Sequence, residues 1–433
     1  MKYIKIFFCF ISVLALSSCM DTYTEDYMAN VPVYMSYADL RSSVKALPAR
    51  ELEKPGKIYF KDNYLLIVEK FKGIHVIDVS NSANPKNTSF VEVPGCVDIA
   101  VKGHILYADS YVDLVAIDVS DISKIKEVNR LKEVYPYAVP PTDNQLRIGN
   151  VEKDKGVVIA WEQKKEHNKL EEHITYPIYY GWDSYGKNSN LSMDAAFGGT
   201  VGGISSASFG KGGSMARFGL YDNFLYTVDQ YQLFVFNVSE ASNPVKVVTQ
   251  PIGWNVETMF LYDHHMFLGT TNGMLILELV NPSAPRQISS LWHVTTCDPV
   301  VVQDGYAYIT LRSGVTCNRN ANLSVNVLDV VKLSDDYKMN NLIATYNMKA
   351  PYGLGIDNNT LFLCDDGLKV FNVADKLNIN NNLIAHFKEI ETYDVIPLNK
   401  FLFTIGDDGF YLYDYSNLQD IKLLGSIPVK EQR

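Results

Sequence analysis

Short hydrophobic runs separated by polar or glycine-bearing turns fill most of this chain, and the clearest unit lies between Tyr352 and Phe387. Gly353-Leu354-Gly355-Ile356 reads as a first strand, with Asp357-Asn358-Asn359 as its turn. Thr360-Leu361-Phe362-Leu363 makes a second strand, and Asp365-Asp366-Gly367 is a hairpin signal. Leu368 to Val373 alternates as a third strand, and Leu383 to Phe387 closes the unit as a fourth. Similar apolar second strands stand at Tyr64–Val68, Ile105–Ala108, Phe224–Thr227, Met266–Gly269, Tyr306–Ile309 and Phe401–Thr404. Seven third strands end in near-copies of one phrase: Ile77-Asp78-Val79-Ser80, Ile117-Asp118-Val119-Ser120, Phe236-Asn237-Val238-Ser239, Leu277-Glu278-Leu279, Leu328-Asp329-Val330, Phe371-Asn372-Val373 and Tyr413-Asp414-Tyr415-Ser416. Consecutive copies lie about 40 residues apart, the period of a four-stranded propeller blade. Asn84-Pro85, Asn243-Pro244 and Pro282 to Pro285 then stop the ladder before the fourth strand. Strands this short and apolar need both faces covered, which stacked blades provide. The fold class is therefore all-β, a single β-propeller.

The period breaks once, because Asp118 and Asn237 are about three repeats apart rather than one. Gly156 to Trp161 reads as the second strand of a degenerate blade, followed by a polar, aromatic and glycine-rich insertion at about 163–213. This predicts eight blades, one of them degenerate, with seven blades and one long loop as the alternative. The propeller then covers residues 57–429, and residues 31–56 form a lead-in, a short strand followed by a helical turn. The last blade has its own outer strand from Ile421 to Val429, so ring closure does not need the N-terminal segment.

Lys2 and Lys5 precede an apolar run from Ile6 to Leu16, the shape of a secretory signal core and too short to span a bilayer. The run ends in Leu16-Ser17-Ser18-Cys19, which resembles the lipobox of bacterial lipoproteins. The resemblance implies that residues 1–18 are removed and that Cys19 carries lipid, with residues 19–30 as a polar tether. Such a chain is anchored to a membrane by its acyl groups, at the outer membrane or surface of a Gram-negative bacterium. The formal charge of −10, with no basic stripe to offset it, excludes a nucleic-acid partner.

Of the six cysteines, Cys297 opens one strand and Cys317 follows the next, so antiparallel pairing makes them a candidate disulfide in an exported chain. Cys364, in an apolar strand, reads as core. No metal-ligand spacing joins the eight histidines, and no nucleophile elbow is present. His264-His265 falls in a hairpin turn, and His75 reads as a packed or edge residue. Gly210-Lys211-Gly212-Gly213-Ser214 lacks the pattern of a phosphate loop and reads as linker. Asp365-Asp366-Gly367 and Asp407-Asp408-Gly409 suit tight turns without a metal.

Aligning the blades by their second strands sets Asp98, Arg217, Glu257, Asp298, Gly353 and Asp394 at the starts of the innermost strands, around one mouth of the channel. Four carboxylates there repel one another unless water, a cation such as calcium or a cationic ligand intervenes. The alternative is that they accept hydrogen bonds from neighbouring amides and order the ring. Arg312 is a further polar candidate nearby. Tyr176, Tyr179, Tyr180, Trp182 and Tyr185 crowd the insertion, where aromatic faces suit sugar stacking or protein recognition, or fold onto the propeller.

The recurring strand, Asp-Val-Ser and Asn-Pro phrase, as in Gly73 to Ser80 followed by Asn84-Pro85, resembles the LVIVD-repeat proteins in their membrane-anchored, Bacteroidetes-type form. That resemblance implies a propeller but carries no catalytic residues. Two functions remain: a non-enzymatic binding or scaffold module for an envelope protein or glycan, or a metal-assisted hydrolase or lactonase using the acidic ring. Fold alone does not choose between them.

Overall fold

The computed structural model describes residues 24–142, 146–169, 211–213, 215–253, 255–271, 273–292, 299–312 and 325–430. The chain opens with β1 (Thr24–Met35), a short α1 (Tyr37–Leu40) and β2 (Lys45–Pro48). Blade one is β3 to β6 (Pro55–Lys61, Tyr64–Glu69, Gly73–Asp78, Lys86–Glu92). Blade two is β7 to β10 (Ile99–Lys102, Ile105–Ser110, Asp113–Asp118, Lys126–Leu131). Three strands follow outside the blade pattern: β11 (Arg147–Ile148), β12 (Val157–Lys169) and β13 (Lys211–Gly212). Blade three is β14 to β17 (Phe218–Tyr221, Phe224–Val228, Gln232–Asn237, Val245–Pro251), and blade four is β18 to β21 (Val256–Tyr262, His265–Thr270, Gly273–Glu278, Arg286–Trp292). Blade five is β22 to β25 (Val300–Gln303, Tyr306–Arg312, Asn326–Leu333, Asn340–Asn347). Blade six is β26 to β29 (Leu354–Asp357, Thr360–Cys364, Leu368–Asn372, Leu383–Phe387), and blade seven is β30 to β33 (Thr392–Leu398, Phe401–Gly406, Gly409–Asp414, Lys422–Pro428).

The chain is an all-β propeller, and its strands form eight sheets. Seven of these contain a four-stranded antiparallel blade, and their innermost strands touch in the order β3, β7, β14, β18, β22, β26, β30 and back to β3. The eighth sheet comes from the segment expected to be a degenerate blade. It has three strands in the order β11-β1-β12, and β12 runs antiparallel to the lead-in strand. Blades two and three also pack directly: Lys102 Nζ donates to the Val238 carbonyl at 2.7 Å and Tyr107 Oη to that of Ala241 at 2.7 Å. No blade fits between them, so the ring itself follows the seven-blade alternative. Strand β1 takes in residues 24–30 of the expected tether, and β12 runs to Lys169, past the expected start of the insertion.

The repeated phrase has a local physical reason. In five blades its Asp or Asn side chain accepts from the backbone N–H two residues on: Asp78 from Ser80, Asp118 from Ser120, Asn237 from Ser239, Asn372 from Ala374 and Asp414 from Ser416. The next residue ties the third strand to the first hairpin. Val79, Val119, Val238, Leu279, Leu333, Val373 and Tyr415 each donate an N–H to a carbonyl in that turn. Blade five corrects the sequence alignment here. Lys332, not Asp329, pairs with Tyr306 as Asp78 pairs with Tyr64, so the fifth copy of the phrase is Val331-Lys332-Leu333. Just before the phrase, every blade's third-to-fourth ladder slips by one residue. Such a bulge bends the outer strand and adds to the blade's twist.

The first and last blades meet without exchanging a strand, as expected. Tyr393 Oη donates to the Pro55 carbonyl at 2.5 Å, and Leu52 forms an isolated parallel bridge with Val429. The lead-in instead extends the outer edge of blade one, where β2 pairs with β6. Leu40, Met35 and Tyr37 pack with Tyr111, Val112 and Val157. This places the three-stranded sheet over blades one and two, on the face where the inner strands begin.

Candidate functional site

The mouth at the start of the inner strands is built around Asp98, which is buried and satisfied from three blades. Its Oδ2 pairs with Lys57 Nζ of blade one at 3.1 Å and accepts from the backbone N–H groups of Arg217 and Phe218 of blade three at 2.6 and 3.0 Å. Its Oδ1 accepts from the Ile99 N–H at 2.8 Å. Lys57, which the sequence reading did not single out, stands at the equivalent inner-strand position of blade one. Two residues of its pair lying far apart in sequence left no local signal.

The other described members of the expected ring are also buried, and several of their polar groups bond the scaffold. The Arg217 Nε donates to the Glu257 backbone carbonyl at 3.1 Å. Asp394 Oδ1 accepts from the Val395 N–H at 2.9 Å, and the Asp394 carbonyl accepts from Thr404 Oγ1 at 3.0 Å. Gly353 joins blades six and seven through an N–H donated to the Tyr393 carbonyl at 3.0 Å. Arg312 lies over the Tyr352 ring, 3.9 Å from its centroid. Asp298, the Cys297 and Cys317 pair, the aromatic loop with Tyr179, Tyr180 and Trp182, and Cys19 lie outside the described residues. Among the described residues, no three of His, Cys, Asp and Glu gather so as to hold a metal ion. Cys96 and Cys364 are both buried free thiols, and burial pushes each well above the ordinary thiol range.

A second set of carboxylates, not read from the sequence as a set, recurs behind the mouth. Each follows or ends a second strand and holds the loop that enters its own blade. Glu69 accepts from the N–H groups of Glu53 and Lys54, Asp109 from Val97 and Asp98, Asp365 from Lys349 and Ala350, and Asp408 from Glu391. This role explains the Asp-Asp-Gly turns at residues 365–367 and 407–409 without a cation. Their environments differ. Burial raises Glu69, but hydrogen bonds from His75 and the two amides outweigh it and leave the carboxyl below its usual range. His75 itself is buried, with Nε2 3.1 Å from Glu69 Oε2 and its ring against Phe90. Asp109 has its two amides on one oxygen, and its Oδ2 finds no partner among the described residues. Burial therefore wins there and raises its pKa to about 7.

The centre of the ring also holds the protein's own chain. Lys211 and Gly212 of β13 pair antiparallel with Phe60 and Tyr59 on the channel side of β3, and the Gly213 N–H donates to the Ile58 carbonyl at 3.2 Å. Lys211 Nζ donates to the Pro397 carbonyl of blade seven at 2.7 Å. A Cβ at Gly213 would stand 2.0 Å from Asp394 Oδ2, so any larger residue there requires this carboxylate to shift. The glycine-rich stretch read as linker is thus partly a fixed strand.

Seven radial blades around a common centre define a β-propeller. Its first two blades are LVIVD repeats: the profile of that repeat matches residues 56–91 and 96–132. No curated protein matches the chain. Among solved structures it is similar to the periplasmic gluconolactonase of Pseudomonas aeruginosa, at 9% identity over 90% of this chain and 97% of that one, with a TM-score of 0.49. It is also similar to a putative 6-phosphogluconolactonase of Bacteroides uniformis, at 10% identity over 83% of this chain and 93% of that one, with a TM-score of 0.48. A computationally designed protein, Ika8, is similar at 8% identity over 89% of this chain and 88% of that one, with a TM-score of 0.47. Resemblance at this level carries no activity over to the chain.

Proposed function

We propose that this chain is a lipid-anchored envelope protein whose propeller is a binding or scaffold module for a protein or glycan, and that the face carrying the lead-in sheet is the one it presents. The observation that carries the reading is the state of the channel mouth. Asp98 takes one ammonium and three amides, so this carboxylate at the mouth is committed to the protein's own groups. A hydrolytic centre needs polar groups aimed at a substrate rather than at the scaffold. The anchor supports the envelope setting: from Cys19 to Thr24 an extended chain reaches about 17 Å, which keeps the lead-in sheet near the membrane.

The experiment is a paired one on the purified mature chain. Melting is followed in calcium and in chelator, and hydrolysis of aldonolactones and simple esters is followed with calcium, magnesium, manganese and zinc. The expected outcome is the same melting temperature in both media and no turnover above the uncatalysed rate. Chelator-sensitive turnover, lost in Asp98→Asn, would replace this reading with a metal-assisted hydrolase. Cys19→Ser is expected to abolish palmitate incorporation and release the chain from the membrane fraction; continued labelling would remove the anchor from the account.

A further inference from the structure

The segment that enters blade one also closes the ring, and it is held from both sides. Toward blade seven, Leu52 is fully buried, forms the parallel bridge with Val429 and gives its carbonyl to the Lys430 N–H at 2.8 Å. Toward blade one, Glu69 takes the N–H groups of Glu53 and Lys54, and the Arg50 carbonyl accepts from Asn87 Nδ2 at 2.7 Å. A carbonyl accepts only from a donor, so this bond fixes which end of the Asn87 amide is nitrogen. The same Nδ2 lies 3.3 Å from His75 Nδ1, which is therefore the accepting, unprotonated nitrogen. The proton then sits on Nε2 and is donated to Glu69 Oε2 at 3.1 Å. The network thus requires neutral His75. One group is left over: Asn87 Oδ1 is buried and has no partner among the described residues.

We propose that Asn87 is a two-position latch on ring closure, thrown by protonation of His75. A proton on Nδ1 faces the Asn87 amide nitrogen, donor against donor, and is accommodated only if the amide turns over. Once turned, Oδ1 accepts from the imidazolium and is no longer unpartnered, while Nδ2 leaves the Arg50 carbonyl. The hold of blade one on the segment then falls to the two amides on Glu69, and Leu52 is freer to part from Val429. The charges around the imidazole set the balance. Glu69, at the end of β4, favours the imidazolium. The Arg50 guanidinium, over the Phe90 ring that His75 also touches, opposes it. Glu53 of the entering segment is paired with Lys72 of the turn after β4. On the blade-seven side, Ile67 and Ile77 flank His75 and cluster with Phe410 and Leu412, which bring no charge. Two discrete amide positions biased by one proton make a switch of the kind histidine supplies between about pH 5 and 8. The proposal concerns how the ring is closed, and it stands whether or not the lead-in face binds a partner.

Nitrogen NMR and hydrogen exchange of the purified mature chain test this together. The His75 ring nitrogens, assigned by their loss in His75→Gln, are expected to show a proton on Nε2 alone at pH 8 and on both nitrogens at pH 5. Over the same interval the protection factor of the Lys430 amide is expected to fall at least about tenfold. The Met259 amide, which joins blades three and four through the Ala216 carbonyl, should keep its protection within about twofold. His75→Gln retains a donor for Glu69 and takes no second proton, so Lys430 is expected to be equally protected in it at both pH values. Asn87→Ala, which lacks the latch, should show the lowered Lys430 protection already at pH 8. The Nδ1–H tautomer at pH 8, or an imidazole still neutral at pH 5, would overturn the proposal. Lys430 protection that stays level while His75 gains its proton would do the same. A fall of equal size in His75→Gln would also overturn it, by placing the acid sensitivity elsewhere.

Discussion

Single carboxylates decide much of how this propeller is locked, and they do so in two different electrostatic settings. Asp78, Asp118 and Asp414 sit at strand ends, where hydrogen bonds from the following serine hold them below the usual range. Asp109 is enclosed, and burial leaves its pKa at about 7. Its neighbours in charge are Asp98, which raises it further, and Lys57, which lowers it. The unfolded chain's aspartate titrates near 4, so between about pH 4 and 7 the folded state holds a proton that the unfolded state lacks. Stability therefore falls as pH rises through that window, by up to about 1.4 kcal/mol per pH unit from this group. Asp109→Asn keeps an oxygen for the Val97 and Asp98 amides and is expected to remove this slope. Urea melts at pH 5, 6 and 7 check it; a slope unchanged in the variant would assign the proton elsewhere. The phrase containing Asp78 was legible in sequence because its bond spans two residues. The role of Asp109 was not, because its partners arrive from the preceding loop.

At the scale of elements, the blades and the lead-in are held by different means. The blade strands were legible almost to the residue where a clear turn precedes them, as in β28 after Asp366-Gly367, which spans Leu368–Asn372 against the expected Leu368 to Val373. The three-stranded sheet was not, since β1 and β12 find each other across more than a hundred residues and only their pairing defines them. The lead-in is fastened to blade two through Asp113. This buried carboxylate accepts from Arg41 Nε at 3.0 Å, Arg130 at 3.2 Å and the Glu133 N–H at 2.8 Å. Arg41 also reaches Glu133, whose side chain is 71% exposed. Removing the buried Asp113 takes its carboxylate from Arg41 and Arg130, which keep Glu133 and Glu127, and from the Glu133 N–H, while an exposed pair is screened by water. Asp113→Ala should thus cost about 1–3 kcal/mol, and Glu133→Ala at most about 1 kcal/mol. Denaturant melts of both variants check the ranking, and equal losses would mean that Asp113 is not the fastening point.

For the molecule as a whole, the repeat announced a propeller, and the break in its period announced where the propeller is elaborated. The eight sheets match the count of repeating units, but one unit was drawn out of the ring to pair with the lead-in. What sequence spacing could not supply was the radial contact order, which closes β30 onto β3 and seats β13 inside. Asp98, Arg217, Glu257 and Asp394 are all buried at or near the starts of their inner strands. Their bonds to Lys57 and to backbone groups follow from neighbours that alignment alone does not show. The account's central claim is that recognition happens on the lead-in face of an envelope-anchored propeller. Its most direct test is photocrosslinking in living cells, with a photoreactive residue at the exposed Asp154 beside that sheet and, separately, at the exposed Asn84 on the opposite face. The account predicts a discrete adduct from position 154 and none from position 84; an adduct from position 84 alone would contradict it.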